Sequence, residues 1–101
     1  MKKLTMIVHT SLQQELADCL RSMHLDAFVF SRVEEHSAQL ERDAFLSVRD
    51  KVVGYVPQVR VDIVLENDQA KLILENIRNL KCSFRGKGNY WISDVDDAGE
   101  L

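Results

Sequence analysis

The run Cys82-Ser83-Phe84-Arg85-Gly86-Lys87-Gly88-Asn89-Tyr90-Trp91-Ile92 constrains this chain more than any other stretch. A Gly-x-Gly turn feeds directly into an aromatic, β-favouring segment. The residues before it read as an amphipathic helix, with Ala70, Ile73, Leu74, Ile77 and Leu80 at helical spacing. Asn67-Asp68 supplies an N-cap and an acidic first turn. Upstream the pattern changes to strict alternation, with Val59, Val61, Ile63 and Leu65 on one face and Gln58, Arg60 and Asp62 on the other. Strand, helix, glycine turn and strand make half of a split βαβ unit.

The N-terminal half repeats that order. Leu4 to Val8 is rich in β-formers and reads as a strand. Thr10-Ser11 offers an N-cap, with Gln13 or Gln14 as capping-box partner. Leu12, Leu16, Cys19, Leu20 and Met23 recur at helical spacing, which predicts a helix over Ser11–Met23. Ala27–Val33 is the second strand, and apolar character ends at Glu34-Glu35-His36. The polar segment from Ser37 to Lys51 carries no start or stop signal. The β pattern resumes at Val52 and runs past Pro57, which implies a bulge or a backbone position facing away from a partner strand.

The expected fold class is therefore α+β: a ferredoxin-like β-α-β-β-α-β sandwich, with a four-stranded antiparallel sheet and both helices on one face. The opposite sheet face is left uncovered. Placing Phe28, Phe30 and Trp91 on it would expose large apolar side chains, which marks an interface. Self-association, with the uncovered face at the centre, follows on physical grounds.

A chain of 101 residues fits one domain, 1–101. No apolar run approaches the ~20 residues that a membrane-spanning helix needs. The apolar stretch behind Met1-Lys2-Lys3 is too short for a signal peptide, so a cytoplasmic location without membrane insertion is expected. A net charge of −3 argues against nucleic acid as a partner. Cys19 and Cys82 are too few for a disulfide framework, and Cys19 falls on an apolar helix face as a small buried hydrophobe.

Taken end to end, the chain resembles the PII-type nitrogen regulatory proteins. Pro57–Val64 is similar to the family's strand after its T-loop, and Cys82-x-x-x-Gly86-x-Gly88-x-Tyr90-Trp91-Ile92 is similar to its B-loop signature. The segment 37–51 sits where the family carries the T-loop that docks on partner proteins. The resemblance implies a homotrimeric signalling protein that senses a small ligand and touches a partner protein, a membrane transporter or an enzyme, through Gln39, Leu40, Arg42, Phe45 and Arg49. It implies an anion site at Gln39, Arg60, Arg85, Gly86, Lys87 and Gly88.

Departures cluster at the ligand positions. Asn89 stands where nucleotide-binding members carry Lys or Arg, and Gln58 replaces one of two basic strand residues. Glu35-His36-Ser37-Ala38-Gln39 replaces a Gly-Phe-Gly-Arg-Gln run, so that only Gln39 is kept. A triphosphate needs glycine-turn N–H groups and cations, and Glu34-Glu35 brings the wrong charge. High-affinity ATP binding is not expected, and the cofactor or effector is left unknown.

His36 beside Glu35 is a candidate divalent-metal pair, although a solvated loop histidine next to surface charge is the plainer reading. It supports an alternative, a metal-responsive protein in the manner of the related CutA-type trimers. His9 and His24 read as strand-edge and helix-cap residues. Arg85-Gly86-Lys87-Gly88 reads equally well as an ordinary tight turn, and Tyr90-Trp91 as one ring on each sheet face. No Cys/His or Ser/His pairing has catalytic spacing, so an enzyme is not expected; a small ferredoxin-like enzyme is the third reading.

Overall fold

The computed structural model describes residues 1–25, 27–36, 54–80 and 88–101. Strand β1 covers Lys2–His9 and leads through a 3-10 turn, Thr10–Leu12, into helix α1, Gln13–Ser22. Strands β2, Phe30–Glu35, and β3, Val56–Leu65, follow. Helix α2, Asn67–Arg78, and strand β4, Gly88–Asp94, complete the order. The four strands form one sheet in the order β2-β3-β1-β4, with every neighbouring pair antiparallel. This is the ferredoxin-like α+β arrangement.

Alternation builds the core. Leu4, Met6 and Val8 of β1 lie opposite Ile63, Val61 and Val59 of β3, and all six are buried. Leu16, Cys19 and Leu20 of α1 close over them with Ala70, Ile73, Leu74 and Ile77 of α2. Each helix buries one apolar stripe, and the two stripes share one face of the sheet. Among the described residues no helix covers the other face.

Local expectations are refined at four points. The first helical turn of α1 is 3-10, and its cap is His9, whose Nδ1 accepts from the Ser11 N–H at 3.1 Å. Helix α2 is capped one residue earlier than Asn67: Glu66 and Gln69 form a capping box, with the Gln69 Oε1 accepting from the Glu66 N–H at 3.1 Å. Strand β2 begins three residues later than Ala27 and runs on through Glu35, because β3 reaches back to Val56 and supplies a backbone partner. Pairing over Val56–Leu65 is unbroken, so Pro57 makes no bulge; it lies beyond the last β1 pair, His9 with Gln58, where β3 has a neighbour on one side only.

Phe28 and Phe30 are also on the other side from the one expected. Phe30 pairs with core-facing Val61, and both rings pack against the helix-covered core, edge to face at 5.8 Å. Trp91 alone of the three aromatics stands on the uncovered face, opposite Thr5.

Candidate functional site

The uncovered face is made by the odd positions of β1 and β2, the even positions of β3 and the odd positions of β4. Across it Asp62, Thr5 and Trp91 form one row, and Ser31, Arg60, Ile7 and Asn89 form the next. Arg60 donates to Asp62 from Nε at 2.9 Å and from Nη2 at 3.2 Å. The Thr5 hydroxyl donates to the same carboxylate, and Thr5 is fully buried under this network. The Arg60 guanidinium also lies 5.6 Å from the Trp91 ring centroid, within cation–π range.

The charges respond to each other. The hydrogen bond from Arg60 holds the Asp62 carboxyl below its ordinary range; partial burial opposes it and the Thr5 hydrogen bond adds to it. The same contact raises Arg60. Asp62 already takes the Arg60 Nε and Nη2 donors and offsets the guanidinium charge, which reduces what Arg60 offers an anion.

Gln58 lies one row further on, opposite Val33 and His9, and is 5% exposed. Its Oε1 is buried without a hydrogen-bond partner in the structure, an uncompensated polar group in a sheet face. The sequence signal for it was present, since Gln58 stands where the resembled family carries a base, but burial was not legible.

Gly88, the first residue of β4, is held close against β1. A Cβ at Gly88 would fall 2.8 Å from Val8 Cγ1 and 2.9 Å from the Ile7 carbonyl oxygen, so only glycine fits. On the helix side, Tyr90 accepts a hydrogen bond from Arg78 Nη2 at 2.9 Å, which ties the last turn of α2 to β4. Tyr90 and Trp91 do face opposite sides of the sheet.

The other sequence-selected residues are distributed as follows. His36 Nε2 lies 3.2 Å from Glu34 Oε2, and its ring is 5.9 Å from that of Tyr55, which precedes β3. Alternation puts Glu35 on the opposite side of β2, so the carboxylate beside His36 is Glu34. Among the described residues no group of three His, Cys, Asp or Glu side chains is placed to hold a metal. Gln39, Leu40, Arg42, Phe45, Arg49, Arg85, Gly86 and Lys87 lie outside the described residues. No described helix is long and apolar enough to cross a membrane.

Comparison with known proteins bears on the family and the fold. The family model described as protein of unknown function (DUF3240) matches residues 1–101. The nitrogen regulatory protein P-II of Rhizobium meliloti (strain 1021) is 26% identical over 98 residues, spanning 96% of this chain and 88% of that protein. The crystal structure of a DUF3240 family protein from Shewanella baltica OS155 superposes with a TM-score of 0.69 at 17% identity, covering 99% of this chain and 94% of that one.

Proposed function

This chain belongs to the DUF3240 family, and we propose that it is a PII-like regulatory protein, a homotrimer that senses a small ligand and contacts a partner protein through the segment 37–51. The observation that supports this most is the likeness to a nitrogen regulatory P-II protein along 98 residues, on a sheet ordered β2-β3-β1-β4. The relation runs through the fold and the turn signature rather than through a catalytic set, in keeping with a non-enzymatic role. In this reading the uncovered sheet face meets the other protomers. The anion site of this reading is the Arg85-Gly86-Lys87-Gly88 sequence, to which Lys87 brings a positive charge, and of which Gly88 is seated against β1. ATP binds weakly, since Gln58 and Asn89 replace cationic contacts.

Mass by light scattering tests the assembly. A mass close to the 11.6 kDa monomer at micromolar concentration overturns the trimer. Thermal shift against nucleotides and divalent cations tests the ligand, because a ligand that binds only the folded state raises Tm. A rise with nucleotides or other anions that is lost in Lys87→Gln supports the turn. The His36–Glu34 contact favours a second reading, a CutA-like metal-responsive protein. A rise with divalent cations alone, lost in His36→Ala, would select it.

A further inference from the structure

We infer that Arg60 and Asp62 form a desolvated structural ion pair at a contact between copies of this chain, so that Arg60 serves assembly rather than anion binding. This rests on the self-association reading and specifies which groups carry it.

The side chains of Arg60 and Asp62 are 37% and 38% exposed in the single chain, and their bonds and neighbours suit them to being covered. Asp62 accepts from Arg60 Nε, Arg60 Nη2 and the Thr5 hydroxyl, so its oxygens are satisfied within one chain. Trp91 covers the guanidinium from the neighbouring row and is itself 42% exposed, with Val64 exposed on the same face. Charge selects the occupant. The chain carries −3 overall, yet the described positions of this face place Lys3 and Arg60 against Asp62 and Glu35, which cancel. Lys3 and Glu35 stand at opposite ends of the face, beside Val64 and Val56. A surface with no net charge, carrying its opposite charges at its two ends, complements a second copy of itself and does not suit a strongly acidic or basic partner.

The chemistry of a buried pair gives a distinctive signature. Removing one partner leaves an uncompensated charge in the interface, whereas replacing both by apolar residues of similar volume is close to neutral. An exposed pair responds weakly to either change. Sedimentation velocity over a concentration series should therefore be run on the wild-type chain, Asp62→Asn, Arg60→Met and the double variant Arg60→Met with Asp62→Asn, which removes both charges and keeps an acceptor for the buried Thr5 hydroxyl. Each single change is expected to weaken association by about a hundredfold or more, and the double variant to return to within about tenfold of wild type. Circular dichroism of the same samples reports folding. A single variant that fails to fold is replaced by a salt series on the wild type, whose association is expected to hold from about 0.05 to about 1 M sodium chloride because a buried pair is little screened. Singles that associate like wild type, a double variant as dissociated as the singles, or association that collapses with salt each overturn the inference while self-association stands. A monomeric wild type overturns both.

Discussion

Gly88 and Val8 meet as a strand pair with no room for a side chain: a Cβ on Gly88 would stand 2.8 Å from Val8 Cγ1. The Ile7 carbonyl closes the other side at 2.9 Å. Because one obstacle is backbone, relaxation has to move β4 itself. Gly88→Ala is expected to cost about 1–3 kcal/mol, the usual range for overpacking. Urea unfolding checks this, and a midpoint equal to wild type would mean that the β1–β4 spacing gives way freely.

Gln58 should behave in the opposite sense. Its buried Oε1 has no hydrogen-bond partner in the structure, and an unsatisfied buried acceptor costs about 1–3 kcal/mol. Gln58→Met keeps the length of the side chain and removes the orphan. Its stability is expected to equal or exceed wild type by up to ~1 kcal/mol, read from thermal melts. A loss above that size would show that the amide makes a bond the carbonyl does not.

The contrast between those two positions shows what the sequence could disclose. Periodicity alone located both helices, the alternation of β3 and the two sides of Tyr90-Trp91, because each is a property of one segment. In the sequence Gly88 reads as a turn glycine, and the closeness of Val8 and the Ile7 carbonyl explains why it is glycine. The side of the sheet taken by Phe28 and Phe30 was not legible. It depends on the pairing of Phe30 with Val61, and β2 has apolar residues at both parities. The Thr5–Asp62 bond was equally hidden, since it joins residues 57 apart in sequence through a register that only the folded sheet defines. Glu66 as the cap of α2 was missed for another reason: Asn67 and Asp68 are the stronger capping residue types, and the Gln69 side chain decided the matter.

Acid should weaken the fold through Asp62. Its carboxyl titrates below the ordinary range in the folded chain, chiefly through the Arg60 hydrogen bond. A depressed folded-state pKa contributes stability that is complete above the unfolded value, about 4, and is lost as pH falls through the lower folded value. Asp94, lowered by Lys2, acts in the same direction. Stability measured below about pH 4 should fall less steeply for Asp62→Asn than for wild type. Parallel curves would mean that Asp62 is as well solvated folded as unfolded.

His24 follows the end of α1 in a left-handed conformation, φ 57°, with its N–H bonded to the Arg21 carbonyl at 3.1 Å. Glycine takes this position at helix ends without the steric cost a Cβ brings, about 1–2 kcal/mol. His24→Gly should therefore stabilise the chain, by somewhat less than that because the unfolded chain also gains freedom. Histidine here is exposed, so no packing is lost. A melting temperature below that of wild type would show that the imidazole has a contact worth more than the strain.

The segment between β2 and β3 offers the sharpest separation of folding from function. Glu35 and Val56 are paired across the antiparallel ladder, so their backbones are already side by side. A ladder that ends this way can be closed by a turn of two to five residues. Replacing residues 37–53 with a short Asn-Gly turn should leave the sheet and both helices intact, because the described buried core draws its members from β1, the 3-10 turn, α1, β3 and α2. Shortening the connection also reduces the entropy of loop closure, by roughly 0.6 kcal/mol for each halving of its length. The expected result is a folded protein with a far-ultraviolet spectrum like wild type and a melting temperature within a few degrees. It would retain self-association and lose any partner that docks through the segment. Failure to fold would instead assign Phe45, Leu46 and Val48 a place in the core, and the partner-binding role of 37–51 would have to be given up with it.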